Sequence, residues 1–152
     1  MQIVQTITDN LDFQFLVKFL DAELFERYPE TQDQFDDINK KIQDAIAVIG
    51  YVNNNPVCCG CVKIEDTIAE LKRMFVKREH RGKGYSKNIV IELERICKQK
   101  NIEKIILETQ IRQPEAISLY KNMGFKECDK FAPYIDNEMS ICMEKNLTKA
   151  SS

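Results

Sequence analysis

Tryptophan is absent from this 152-residue chain, histidine occurs once, at His80, and glycine and proline number only five and four. No stretch approaches the ~20 consecutive apolar residues that a membrane-spanning helix needs. The N-terminus has neither the basic start nor the apolar run of a secretory leader. A single histidine excludes a His-rich metal cluster, and no Cys or Ser can be placed beside His80 to form a nucleophile–base pair. It reads as a surface residue. A surplus of either charge is missing too. The 22 basic and 24 acidic residues leave a net charge of −2, which creates no overall field for nucleic acid or anionic lipid. These absences point to a cytoplasmic protein with no metal, no membrane partner and no nucleic-acid partner.

Six cysteines are present, at positions 58, 59, 61, 97, 128 and 142. Cys58, Cys59 and Cys61 contain a C-x-x-C, but a structural zinc site wants four ligands in paired clusters and the other three are scattered. They read as buried, reduced thiols on strands and a helix. The apolar share of 43% and charged share of 30% are those of a globular chain, and the length suits one domain, 1–147, with 148–152 as a frayed tail.

In chain order, Gln2–Thr6 alternates like a first strand, and Thr8, Asp9 and Asn10 can cap a helix over Leu11–Tyr28. Its inward face is expected to be Phe15, Leu16, Phe19, Leu20 and Leu24. A second short helix is expected over Gln34–Lys41. Asp21, Glu23, Glu26, Glu30, Asp33, Asp36 and Asp37 form either a solvated helical face or an acidic lip for a cationic substrate. Ile46–Val52 and Val57–Glu65 read as a hairpin around Asn53-Asn54-Asn55-Pro56. Ile68–Lys77 follows as a strand with Glu70, Lys72, Met74 and Val76 on one face.

The period then changes to that of a helix over Lys83–Lys100, with Ile89, Val90, Leu93, Ile96 and Cys97 inward. Ile105–Leu107 is a short apolar run of the kind covered on both faces, and the strand–helix–strand order implies parallel pairing. Pro114 opens another helix and Gly124 stops it. Phe125–Phe131 and Met139–Glu144 read as the last strands, with Lys145 onward as tail.

The stretch that organises the chain is Arg81–Ser86, RGKGYS, between the Ala69–Lys77 strand and the next helix. Its glycines let backbone approach a ligand, and amides at a helix start have no partner within the helix. Such a loop can bind an anion. It can equally be a plain strand-to-helix turn. It is neither a dinucleotide fingerprint, since Lys87 stands where the third glycine belongs, nor a Walker loop.

Two motifs carry a family resemblance. The first is Val76 followed by Arg81-Gly82-x-Gly84; the second is QPEAISLYKNMGF, Gln113–Phe125. Together, a helix and a strand apart, they resemble the acetyl-CoA loop and the N-x-x-A-x-x-L-Y-x-x-x-G-F block of GCN5-related N-acetyltransferases (GNAT). The departures are Ser86 in place of Gly or Ala and Gln113 in place of Asn. The resemblance implies an α/β single domain, with a mixed, largely antiparallel sheet of about six to seven strands flanked by about four helices.

It also implies acetyl transfer from acetyl-CoA to a primary amine by direct attack in a ternary complex, without metal. The loop from Arg81 through Gly82, Lys83, Gly84 and Tyr85 to Ser86 would hold the pyrophosphate. Backbone near Met74, Phe75 and Val76 would pair with the pantetheine arm, aided by Gln113. Glu70 is the candidate base, with Lys72 competing for it, or else a surface residue paired with that lysine. Tyr120 is the candidate acid, or a core aromatic. The acceptor is expected to be a small amine or amino-acid-like molecule, and a homodimer is compatible. Two other readings stand beside this one. One is a non-catalytic acyl-CoA-binding module; the other is a nucleic-acid domain using Lys77, Arg78, Arg81, Lys83 and Lys87.

Overall fold

The first helix starts where the sequence offers a cap. In the computed structural model, which describes residues 1–27 and 45–147, Asn10 Oδ1 accepts the amides of Asp12 at 2.8 Å and Phe13 at 3.2 Å. This cap turns β1 (Gln2–Ile7) into α1 (Leu11–Arg27). The inward stripe differs from the expected one. Phe13 and Leu16 are buried, whereas Phe15 and Phe19 stay 43% and 45% exposed. The helix is apolar around most of its circumference, so two stripes compete for the sheet. The one it does not bury is an edge-on Phe15–Phe19 pair under the Lys77 ammonium, 5.0 and 5.2 Å from the ring centres. The short helix expected over Gln34–Lys41 lies outside the described residues.

β2 (Ile46–Val52) and β3 (Asn55–Glu65) are joined by Asn53 and Asn54 at φ 51° and 65°. Asn tolerates this left-handed backbone, which a tight two-residue hairpin requires. β4 (Ile68–Val76) follows, then a 3-10 turn, α2 (Tyr85–Gln99), β5 (Lys104–Gln110), α3 (Pro114–Asn122), β6 (Lys126–Cys128) and β7 (Ser140–Asn146). One seven-stranded sheet results, in the order β1-β2-β3-β4-β5-β7-β6. Only β4 and β5 are parallel; the other neighbours are antiparallel. Among the described residues three α-helices flank it.

Ile89, Leu93, Ile96, Leu107 and Met143 fill one face beneath α2 and α3, while Phe13, Leu16, Ile49, Cys59 and Phe75 fill the other beneath α1. All six cysteines are free and five are buried. Burial pushes the Cys61 thiol up to about 12, so it carries little reactive thiolate near neutrality.

Two boundaries at the C-terminal end shift. The strand expected over Phe125–Phe131 shortens to the three residues of β6. The expected tail from Lys145 is instead ordered through Leu147, whose amide reaches Glu103 O at 2.7 Å. Lys145 itself is fixed by both oxygens of Glu94 on α2, at 2.9 and 3.1 Å.

The alternation in β4 also breaks. Cys59 pairs with Phe75 but Cys61 with Lys72, so Arg73 and Met74 both stand against Gly60. Arg73 takes φ 60°, and this bulge reverses the parity of everything after it. The expected face of Glu70, Lys72, Met74 and Val76 is therefore divided. Met74 and Val76 join Ala69 and Leu71 in the core beneath α2, and Phe75 turns to the α1 side. Gly60 permits this packing, since a Cβ there would fall 2.5 Å from Met74 Sδ and 2.9 Å from Ile89 Cγ2. Gly60→Val should destabilise the fold by about 2 kcal/mol through overpacking, read as a lower urea midpoint, with Gly60→Ala losing less.

Candidate active site

β4 and β5 are paired only from Ile68 opposite Lys104 to Leu71 opposite Leu107. Both strands continue, to Val76 and Gln110, but past Leu71 they part, with the bulge two residues further on. A cavity of about 450 Å³ opens there, walled by α1, β4, the loop before α2, and α3. Unpaired backbone along β4 can accept an extended ligand as an added strand.

At one end of the cavity Gly82 and Gly84 both adopt φ 80°. Gly84 occupies the N-cap of α2 and no side chain caps that helix, so its first amides and the positive end of its dipole are free for an anion. Arg81 does not face that end. Its Nε donates to Val76 O at 2.8 Å, its Nη2 to Glu23 at 2.8 Å, and its guanidinium lies 5.6 Å from the Phe75 ring centre. Arg81 therefore binds the loop to β4 and α1, and Lys83 is exposed as well. His80, read as a surface residue, lines the cavity with a buried, unpartnered Nδ1 and a ring stacked near Tyr85 at 6.4 Å.

The other end is polar. Lys72 Nζ donates to Glu70 Oε2 at 3.1 Å and to Tyr134 Oη at 2.9 Å, and Tyr134 donates to the same Glu70 oxygen at 3.3 Å. On β5, Glu108 Oε2 accepts Ser140 Oγ at 2.6 Å and Gln110 Nε2 at 3.4 Å. Burial pushes the Glu108 carboxyl up to about 7. Burial also raises the Tyr134 phenol, with the charge of Glu70 adding to the effect.

A cavity between two parted strands, closed at one end by a glycine loop on a helix start, matches the two-motif pattern of the sequence. The family model for the acetyltransferase (GNAT) family aligns with residues 11–125. The chain belongs to this family. Its relatives include an IAA acetyltransferase of Azospirillum brasilense, 29% identical over 135 residues, 87% of this chain and 88% of that protein. An uncharacterized N-acetyltransferase of Dictyostelium discoideum is 41% identical over 73 residues, 48% of this chain and only 32% of that protein. A candidate acyl-CoA N-acyltransferase from Klebsiella pneumoniae superposes with a TM-score of 0.79 at 28% identity, covering 97% of each chain. The PaiA N-acetyltransferase of Thermoplasma acidophilum, solved with coenzyme A, shares the fold at 20% identity and a TM-score of 0.66, over 96% of this chain and 99% of that one.

Within this GNAT fold the cavity gathers the residues the sequence singled out. Glu70, Met74, Phe75, Val76, Arg81, Gly82, Gly84, Tyr85, Ser86, Gln113 and Tyr120 all line it, whereas Lys83 does not. Tyr120 is 7% exposed, makes an edge contact with Phe125, and its hydroxyl makes no hydrogen bond among the described residues. Gln113 Oε1 already accepts Thr109 Oγ1 at 3.2 Å. The acidic face of α1 is not simply solvated: Asp21 binds Arg73 at 3.0 Å, and Glu23 binds Arg81 and Arg78. Glu30, Asp33, Asp36 and Asp37 lie outside the described residues.

Sequence reasoning missed Glu108, Gln110, Ser140 and Tyr134. The available signal was three polar residues, Glu108-Thr109-Gln110, immediately after the apolar run Ile105–Leu107, a combination suited to the mouth of a buried strand.

Proposed function

We propose that this GNAT-family chain transfers acetyl from acetyl-CoA to a primary amine of a small molecule by direct attack within a ternary complex. The observation that carries the reading is the parting of β4 from β5, which leaves a strand edge leading to the glycine loop at the start of α2. In this reading the amides of Gly82–Ser86 hold the pyrophosphate, with Lys83 beside them. The pantetheine arm lies along Met74–Val76, and a β4 amide polarises the thioester carbonyl. No metal is required. Among the described residues no helix is long and apolar enough to cross a membrane.

The amine nitrogen attacks the thioester carbon, the new C–N bond forms and the C–S bond breaks. An alkylammonium, with a pKa of about 10.4, must first lose a proton. Two carboxylates reach the acceptor end, Glu70, which the sequence indicates as base, and Glu108. Tyr120 is the acid in this scheme, presenting its hydroxyl to the leaving thiolate. Burial raises its phenol, so it stabilises the thiolate by hydrogen bonding more than by early proton transfer.

Incubation with acetyl-CoA and a panel of primary amines should release free thiol in proportion to acceptor. Thiol release absent across the panel, together with intact coenzyme A binding, favours an acyl-CoA-binding module instead. Tyr120→Phe should lower kcat about 10-fold while leaving coenzyme A affinity unaltered, because the thiol of the leaving group, with a pKa near ~8.5, departs acceptably without help. Unchanged turnover in that variant removes the acid role.

A further inference from the structure

Five lysine and arginine side chains line the cavity, those of Arg27, Lys72, Arg73, Arg81 and Lys87. Four of them already face a carboxylate. Arg27 meets Glu115 at 3.3 Å, Arg73 meets Asp21 at 3.0 Å, Arg81 meets Glu23 at 2.8 Å and Lys72 meets Glu70 at 3.1 Å. Lys87 stands in the first turn of α2, at the donor end.

The carboxylates show the opposite balance. Glu23, Glu70 and Glu115 are matched, whereas Glu108 accepts only from two neutral donors, Ser140 Oγ and Gln110 Nε2. Among the described residues, then, the acceptor end holds one carboxylate without a counter-charge and no cation without one.

Lys72 is the cation at that end, and it is closely enclosed. Its side chain is 10% exposed, and it donates to Glu70 Oε2 at 3.1 Å and to Tyr134 Oη at 2.9 Å. Tyr134 closes the triangle by donating to the same Glu70 oxygen at 3.3 Å. An ammonium has three donors, so a carboxylate brought in on a substrate finds one of them left. To reach it, that carboxylate must lie beside both Glu70 and Glu108, where like charges repel more strongly than in bulk water. An alkylammonium meets no such obstacle.

We propose that Glu70 is a specificity-determining residue: by holding Lys72 and Tyr134 it closes the acceptor end to carboxylates, so the acceptors are primary amines without an acid group, and free amino acids are refused. The inference rests on the acetyl-transfer reading above and narrows its acceptor class. Phenethylamine is accepted where phenylalanine is not, although the two differ only by a carboxylate.

The test is kcat/KM for thiol release from acetyl-CoA with phenethylamine, phenylalanine and phenylalaninamide, the last carrying a neutral group of similar shape in place of the acid. The wild type should favour both carboxylate-free acceptors over phenylalanine by about 100-fold. Glu70→Gln keeps an oxygen for Lys72 and Tyr134 but removes the charge, and should cut that preference to about 5-fold or less. A preference is a ratio within one variant, so a slower chemical step cancels from it. Adding Lys72→Met to Glu70→Gln should restore the discrimination, because the released ammonium is what admits the acid.

A wild type that uses phenylalanine as well as phenylalaninamide overturns the inference, and so does a Glu70→Gln preference equal to that of the wild type. Nitrogen NMR of labelled lysine needs no acceptor and no coenzyme. The Lys72 Nζ signal should ignore 3-phenylpropionate in the wild type and shift with it in Glu70→Gln; a shift in the wild type, or none in the variant, overturns the inference as well. Failure of the wild type to bind coenzyme A by calorimetry takes down the acetyl-transfer reading itself, an outcome separate from the others.

Discussion

Lys145→Met is expected to destabilise the folded protein by about 3 kcal/mol, measured as a fall in the urea midpoint at constant slope. The Glu94 carboxylate sits on the inward side of α2, 7% exposed, and Lys145 Nζ satisfies both of its oxygens at 2.9 and 3.1 Å. Removing the ammonium leaves a charge in a poorly hydrated site with no counter-charge, which is the expensive way to break a pair. Replacing both partners is different. Glu94→Leu combined with Lys145→Met should regain most of the loss, because no uncompensated charge remains and apolar contact replaces it. A Lys145→Met change of under about 0.5 kcal/mol, the range of ordinary surface substitutions, would show that the pair does not clamp α2 to β7.

Gly84→Val is expected to weaken coenzyme A binding roughly 30-fold by calorimetry, equivalent to about 2 kcal/mol. The loss does not come from crowding, since a Cβ at Gly84 meets nothing within 4 Å. It comes from the backbone: φ 80° at the N-cap of α2 is a conformation a β-branched residue scarcely adopts. The loop must shift, and the amides at the helix start, which the proposed function assigns to the diphosphate, shift with it. Gly84→Asn should lose much less, because Asn accepts left-handed backbone. If Gly84→Val binds coenzyme A as tightly as the wild type, the loop is not the anion site.

The strand positions, the β2–β3 hairpin and the parallel β4–β5 pair were legible in the sequence, because apolar periodicity, asparagine turns and the Pro114 and Gly124 punctuation are local signals; the placing of β7 between β5 and β6 was not. The exceptions share a cause. The spacing of Phe15 and Phe19 fits a core stripe, but only the sheet decides which of two apolar stripes on α1 it buries. Strand alternation sets Met74 on the Glu70 face, and the bulge that reverses it arises from pairing with Gly60 on β3.

The loop was legible because its glycines and position before a helix are contiguous. Arg81 shows the limit of that reading, for its cationic head is claimed by Val76 and by Glu23 on α1. The acceptor end was least legible. Glu70, Lys72, Glu108, Tyr134 and Ser140 come from β4, β5, β7 and the segment before β7, and nothing in the order of letters announces that they meet.

The left and right halves of the sheet are stitched together by four residue pairs, Ile68–Leu71 with Lys104–Leu107. In the binding mode proposed above, a donor laid along the open length supplies the rungs the chain does not make for itself and laces the two halves. Main-chain amides of Lys72–Val76 then exchange with solvent more slowly, and the folded form gains free energy with each increment of free donor. On the proposed acetyl-transfer reading, the supply of acyl donor is therefore expected to lengthen the time each molecule survives proteolysis.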